Sequence, residues 1–381
     1  LRTQTGLDDI IPQLPDITSR DITRPLYSAV FTAHPVFALK PEVSAAMCHH
    51  AVAKAGVVPR DAFAPRQSVT LDDEHGEAMA ALKHARAAIN EINADILRQL
   101  RSADPDGWRK TLPAMINVST WVGYDLDGRS DISWTDSFRL RLREKYMALR
   151  GYERAVRDSK IDMLSPVADR LAVGCATTSQ HLKAFEAVES GKAEFDTVMN
   201  ALTEDPDRLV SSHALAKEIH QIAQDIPDEE DALTALVISA DISTHGFGMG
   251  EVHLRINAAQ IRNAMWPVDG RTISVSDGVS SPRLLIERLA LRIRKESAWD
   301  ISFASLDGET ATARRQLMLA TQFLKHIDSD QPVRLLIAEC EKPLTIMSAL
   351  YLAHKFGITG MIDISPLFET SYGLEHGEKT V

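Results

Sequence analysis

The chain has 381 residues, of which 44% are hydrophobic and 25% charged, and its formal net charge is −11. These values are ordinary for a globular protein with a sizeable core, and the length allows either one large barrel or two domains. The acidic balance argues against a nucleic-acid partner, because basic residues are nowhere concentrated enough to displace counterions from phosphates.

The sequence favours a cytoplasmic protein without a membrane partner. No apolar run approaches the roughly 20 residues that cross a bilayer, and no signal peptide is visible. The cysteines, Cys48, Cys175 and Cys340, are scattered, which fits a reducing compartment better than a disulfide scaffold. The run Cys48-His49-His50 is not expected to bind metal, because adjacent helical residues point in different directions.

The first residue is not methionine, so we expect a processed or truncated chain.

Helical patterns dominate the chain. Apolar residues from Met79 to Leu100 recur at three-to-four spacing with charged residues between them, which predicts an amphipathic helix. Asp72 and Asp73 mark its start, because carboxylates favour the positive end of a helix. Comparable patterns predict helices at about 134–159, 178–202, 207–224, 228–243, 281–298, 311–327 and 343–356. Ser281-Pro282 is typical of a helix start.

Short apolar runs between the helices predict five strands, near 28–32, 114–122, 251–256, 333–338 and 360–364. Most are apolar on both faces, as in a parallel sheet covered by helices. Strands separated by long helices indicate βα units, although five strands cannot close an eight-stranded barrel. We therefore predict a helix-rich α/β fold, an incomplete (β/α)8 TIM-type barrel with many additional helices. Residues 1–381 would form the N-terminal part of this single barrel, with the remaining strands outside the chain.

Reactive side chains follow the first two strands. Pro35 restricts His34 to an extended backbone, so His34 is predicted to project from a strand end and serve as a general acid or base. The alternative is a histidine satisfied by a backbone carbonyl. Asp125 and Asp127 follow Trp121 and alternate along an extended segment. They could hold arginines in place or bind a hard cation, or they could simply form an Asx-turn.

The other three strands end in charged groups as well. His253 and Arg255 lie two residues apart and so share a face, and Arg255 could hold a carboxylate or phosphate or pair with a nearby aspartate. Glu339 and Glu369 follow the last two strands. Such glutamates could ligate Mg²⁺ or Mn²⁺, or could be partners of a helix dipole. We expect the five strands to be neighbours, with His34, Asp127, Arg255 and Glu369 at one common end of the sheet.

Four segments of the chain resemble one enzyme family. They are Thr32-Ala33-His34-Pro35-Val36-Phe37, Trp121 to Arg129, Phe247-Gly248 with the arginine-bearing strand after it, and Pro366-Leu367-Phe368-Glu369-Thr370. Their sequence and order are similar to those of phosphoenolpyruvate carboxylase. Val36, Phe37, Tyr124 and Leu126 depart from the family pattern, which suggests a divergent branch. The family's later Gly-Tyr-Ser-Asp segment and its arginine- and glycine-rich loops do not follow Thr370, so the chain resembles the N-terminal part of such an enzyme.

The resemblance implies a lyase that carboxylates phosphoenolpyruvate with bicarbonate, giving oxaloacetate and phosphate. His34 would be the general base, Asp127 and Arg255 would be catalytic, and Trp121 and Arg255 would bind substrate. Glu369 would ligate Mg²⁺ or Mn²⁺. The protein would be a homo-oligomer, associating through helical regions or through the part of the enzyme outside this chain. This chain alone is expected to be inactive.

Two questions stay open at the level of sequence. Strict alignment places Asn257, instead of Arg255, at the family's arginine, although both residues lie on one face of the strand. The function could also be that of another barrel enzyme that handles phosphoenolpyruvate or pyruvate, or of a non-catalytic helical scaffold or regulatory fragment.

Overall fold

The computed structural model of the protein describes residues 22–32, 40–53, 69–127, 129, 131–188, 193–265 and 281–380. The described residues form a helix-rich α/β fold built on one parallel sheet. Its strands are β1 Tyr27–Phe31, β2 Ile116–Thr120, β3 Glu251–Asn257, β4 Val333–Ala338 and β5 Ile362–Pro366.

All five strands lie in the predicted regions, with two corrections. β2 is shorter than the predicted 114–122, because residue 114 pairs outside the sheet: the Ala114 backbone N–H donates to the Ile22 carbonyl at 2.8 Å, and the chain leaves the strand at Trp121. β5 begins later than the predicted residue 360, because Thr359–Met361 forms a 3₁₀ turn.

Thirteen α-helices lie within the described residues. They are α1 Pro41–Ala53, α2 Leu71–Ala103, α3 Trp134–Ser159, α4 Ser165–Glu186, α5 Ala193–Glu204, α6 Ser212–Asp225, α7 Glu229–His245, α8 Ala258–Ala264, α9 Pro282–Lys295, α10 Phe303–Asp307, α11 Thr312–His326, α12 Pro343–Lys355 and α13 Ser371–His376. Among them, none is both long and apolar enough to cross a membrane.

The predicted single helix at 178–202 is wrong, since this region belongs to α4 and α5. The rings of Phe185 and Phe195 lie 5.9 Å apart, whereas a continuous helix would hold residues at this spacing about 15 Å apart. Ser165-Pro166, with its proline in the first turn, carries the same start signal as Ser281-Pro282. That signal could have placed the start of α4 correctly.

The sheet is parallel throughout, and the order of its strands is the order of the chain, β1 to β5. Its register aligns Leu254 of β3 with Leu335 of β4, and Leu335 with Ile364 of β5. Together with Val252 and Ile256, these residues form an apolar face, because alternate side chains of a strand point the same way.

The opposite face of the sheet is polar, which corrects the expectation that most strands are apolar on both faces. Asn117 Nδ2 donates to Glu251 Oε2 at 3.0 Å. Arg334 lies 3.4 Å from Glu251 and 3.5 Å from Asp363. The alternation of Glu251, His253 and Arg255 in β3 carries this signal in the sequence.

Helix α3 connects the two halves of the hydrophobic core. Phe138 and Leu142, in its first half, belong to a cluster with β3, β4 and α11. Leu149 and Tyr152, in its second half, belong to a cluster with α2, α4 and α7. The position of this helix therefore affects both the sheet and the helical layer.

Lys145, in the middle of α3, is buried, and no carboxylate of the described residues contacts it directly. Its ammonium group donates to the His326 carbonyl at 3.2 Å and lies 5.8 Å from the centre of the Phe247 ring. Burial lowers the pKa of Lys145 from 10.5 to about 7. The folded protein therefore releases this proton at lower pH than the unfolded chain does.

We expect this shift to make the protein more stable as the pH rises from 7 to 9. In that range the unfolded chain retains the Lys145 proton while the folded protein loses it. The free energy of unfolding should therefore increase by on the order of 2 kcal/mol between pH 7 and pH 9. Urea unfolding at the two pH values measures the gain, and Lys145→Met should remove it. Lys183→Met, at an exposed site on α4, is the control. An equal gain in wild type and Lys145→Met would contradict the assignment.

Candidate active site

The segment after β2 turns back and joins the sheet a second time, beside β3. Gly123 has a φ of +89°, which glycine adopts without strain, and the Tyr124 N–H donates to the Trp121 carbonyl at 2.8 Å. Asp125 then forms a parallel bridge with Arg255. This return brings the acidic residues of the segment to the carboxyl end of β3.

Arg255 lies among three carboxylates. One guanidinium nitrogen is 3.4 Å from Asp125 Oδ2, and the other is 3.4 Å from Asp127 Oδ2 and 3.8 Å from Glu369 Oε2. These distances exceed the 2.7–2.9 Å or so of a tight charge-assisted pair. The guanidinium is thus oriented by its acidic neighbours without being closely bound to any of them.

Trp121 and Asn257 complete the surroundings of this arginine. The guanidinium carbon of Arg255 lies 5.8 Å from the centre of the Trp121 ring, within the range of a cation–π contact. Asn257 Nδ2 donates to Asp127 Oδ1 at 3.0 Å. Arg255 and Asn257 share a face, as predicted, and both contact Asp127.

The aspartate pair both forms a turn and contacts the arginine. The Asp127 N–H donates to Asp125 Oδ1 at 3.0 Å, which is an Asx-turn, while both carboxylates also face Arg255. Burial raises the pKa of Asp125 above its usual range, although the Asp127 N–H and Arg255 oppose the change. One segment therefore provides both a structural turn and partners for the arginine.

Glu369 reaches the site from the end of β5. Its Oε1 accepts the Glu339 N–H at 3.1 Å, and Glu339 has a φ of +54°, a backbone conformation that costs energy for a residue with a side chain. Glu341 is directed elsewhere, since it accepts from the Thr370 hydroxyl at 2.5 Å. Of the predicted glutamates, Glu369 alone places its carboxylate beside Arg255 in the part of the chain that the structure describes.

A cavity of about 490 Å³ opens beside Arg255. Thr32, Trp121, Asp125 and Arg129 contribute to its wall, so it extends from the end of β1 to the ends of β2 and β3. Arg129 and Arg255, which both line this wall, differ in how close their carboxylate partners lie. Arg129 is held by Glu74 and Asp131 at 3.1 and 2.6 Å, whereas the contacts of Arg255 are longer.

Helix α3 fixes the segment after β2 through a buried carboxylate that the sequence analysis missed. Glu144 accepts from the Tyr124 hydroxyl at 2.6 Å, from His75 Nε2 at 3.1 Å and from Arg141 at 2.5 Å. Burial opposes ionisation, but Arg141 and His75 keep the pKa of Glu144 below its usual value. Charged residues on the apolar side of α3 were the available signal.

The structure brings together Trp121, Asp127, Arg255 and Glu369, as predicted for one end of the sheet. His34 lies outside the described residues. His253 is directed to a deeper position, where it is buried 3.6 Å from Glu251. No group of three metal-ligating side chains occurs among the residues described.

No family model matches the chain, and a search of curated proteins finds no significant match.

Proposed function

We propose that the protein carboxylates phosphoenolpyruvate with bicarbonate, forming oxaloacetate and phosphate. The observation that carries the proposal is the meeting of Trp121, Asp127, Arg255 and Glu369 at one edge of the sheet, around an arginine that has no tight partner among the described residues. These are the residues that the sequence resemblance implies for this reaction. They come from three strand ends that are far apart along the chain.

The order of the strands supports the further proposal that the sheet is part of a (β/α)8 barrel. A doubly wound sheet reverses its strand order at a switch point, and ligands bind there. This sheet has no reversal among β1 to β5, and its reactive residues lie at the carboxyl ends of the strands, as in barrel enzymes.

Arg255 would bind the anionic substrate. A planar guanidinium can hold a carboxylate or phosphate through two parallel hydrogen bonds, and its side chain is 25% exposed. Asp125 and Asp127 would set its orientation from one side, and Trp121 would support it through the ring. Binding of substrate would replace long contacts with short ones.

A divalent cation would be held mainly by substrate oxygens and water. The described residues contain no group of three metal-ligating side chains, but carboxylate oxygens are the ligands that Mg²⁺ and Mn²⁺ prefer, together with water and substrate oxygens. Glu369 would be the protein ligand. When bound, such an ion would neutralise charge on the phosphate and on the enolate.

His34 would act after bicarbonate has attacked phosphorus and displaced the enolate of pyruvate. It would take the carboxyl proton of the resulting carboxyphosphate, so that the bond between carbon and the bridging oxygen breaks and leaves CO₂ and phosphate. The enolate carbon then attacks CO₂. Water must be excluded, because protonation of the enolate gives pyruvate. Thr32, two residues before His34, lies in the wall of the cavity beside Arg255.

Replacing Arg255 by lysine tests the proposal. We expect the KM for phosphoenolpyruvate to rise about tenfold to a hundredfold, because lysine keeps the charge but loses the paired hydrogen bonds. Steady-state assays of oxaloacetate formation by the protein at its natural length measure the change. Arg294→Lys, on the exposed side of α9, is the control. Unchanged kinetics in Arg255→Lys would assign this arginine to structure alone.

A further inference from the structure

A second cavity, of about 480 Å³, lies between helices α2, α3 and α7. It shares no lining residue with the cavity beside Arg255. Met147, Ala148, Ile238 and Met249 contribute apolar surface to it. A concave apolar surface of this size is typical of a site for a small organic molecule.

Three cations, Lys83, Arg150 and Arg154, line this cavity from α2 and α3. None of them forms an ion pair with a carboxylate of the described residues; Arg150 donates only to the Tyr146 hydroxyl, at 3.0 Å. Other arginines of α3 behave differently, since Arg143 pairs with Asp72 and Glu186. These three side chains give the cavity a locally positive rim in a chain with a net charge of −11.

Asp241 is the one carboxylate among the described residues that line the cavity, and it is already paired. Asp241 accepts from Arg86 at 2.9 and 3.0 Å and from His245 at 2.8 Å, so it does not cancel the positive charge around it. Asn90 donates to Asp241 at 3.3 Å, while its Oδ1 is buried without a hydrogen-bond partner. A buried acceptor left in this way is costly unless a ligand or water supplies a donor.

Gly151 lines the cavity between Arg150 and Arg154. It lies inside α3, where glycine destabilises a helix relative to alanine. A Cβ at this position would meet no atom within 4 Å, so the protein's own packing does not require a glycine there. At Gly248, by contrast, a Cβ would lie 2.1 Å from Arg141. The open space beside Gly151 adjoins the cavity and is accessible to a bound molecule.

We propose that this cavity binds an organic anion with an apolar body and an N–H or O–H donor. The anionic group would meet Lys83, Arg150 and Arg154, and the apolar body would lie against Met147 and its neighbours. The donor would satisfy Asn90 Oδ1. Inorganic anions would bind poorly, since they gain nothing from the apolar surface.

Calorimetric titration with three probes tests this combination of properties. Indole-3-acetate has the anion, the rings and the N–H donor, indole-3-acetamide lacks the charge, and acetate lacks the rings. We expect indole-3-acetate to bind with a Kd about tenfold lower than that of either other probe at low salt, and to weaken as salt is added. No binding of indole-3-acetate, or equal binding of indole-3-acetamide, would overturn the proposal.

Variants then locate the binding. Gly151→Trp should fill the cavity and abolish binding of indole-3-acetate, whereas Gly151→Ala should preserve it. Lys83→Glu combined with Arg154→Glu should raise the Kd about tenfold through the change of charge. Lys217→Glu, an exposed reversal on α6, should have no effect. If Gly151→Trp does not fold, the charge variants decide alone. An unchanged Kd in the Lys83 and Arg154 double variant would overturn the proposal.

Discussion

His34→Asn is expected to lower oxaloacetate formation by about a hundredfold to ten-thousandfold, the usual contribution of a general base. Asparagine roughly keeps the size of the side chain but has no nitrogen that titrates. Because bicarbonate attacks phosphorus before the proton is removed, the variant should still release phosphate, with pyruvate as the organic product. Parallel assays of oxaloacetate, pyruvate and phosphate at the protein's natural length measure this change of products.

The control for this variant is His84→Asn, at an exposed position on α2. It removes a histidine of the same chain without touching the cavity beside Arg255, and it should leave all three product yields unchanged. Undiminished carboxylation by His34→Asn would rule out His34 as the base. Equal losses of oxaloacetate and phosphate would contradict the proposed order of steps.

Glu144→Ala is expected to lower the free energy of unfolding by about 3–5 kcal/mol, which is the usual cost of removing one member of a buried ion pair. The substitution leaves Arg141 buried without its carboxylate and removes the acceptor for His75 and for the Tyr124 hydroxyl. Urea or thermal unfolding measures the loss. Activity should fall as well, because Tyr124 precedes Asp125 in the segment that orients Arg255.

Glu153→Ala is the matched control on the same helix. Glu153 pairs with Arg157 at 3.0 Å on the exposed side of α3, and such a solvent-screened pair contributes little to stability. A similar loss of stability in Glu144→Ala and Glu153→Ala would show that the buried network does not hold the segment after β2 in place.

The positions of the strands and the meeting of four site residues were predictable from local pattern. Three of the five short apolar runs carry these residues at or just after their ends. Trp121 and Asp127 follow the second run, Arg255 lies near the end of the third, and Glu369 follows the fifth. Since parallel strands end at the same edge of a sheet, this pattern was enough to place their side chains together. The local pattern did not show whether Asp125 forms an Asx-turn or an ion pair. In the structure Asp125 forms both.

The supporting network was not predictable in the same way. His75 and Glu144 are 69 positions apart in the chain, and their contact depends on how α2 lies against α3. The ion pair between Glu251 and Arg334 was missed for a related reason, because the two residues belong to different strands and meet only once β3 and β4 are adjacent. The alternation of polar residues within β3 was visible in the sequence. Local patterns describe single elements, whereas these pairs follow from packing.

The most direct test of the central claim is the formation of oxaloacetate from phosphoenolpyruvate, Mg²⁺ and bicarbonate by the protein at its natural length. The proposed chemistry predicts equal amounts of oxaloacetate and phosphate, and no oxaloacetate when bicarbonate is omitted. It also predicts that one oxygen of ¹⁸O-labelled bicarbonate appears in the phosphate, because the attacking oxygen stays on phosphorus. Absence of oxaloacetate, or phosphate that carries no label, would contradict the assignment of carboxylation to the site around Arg255.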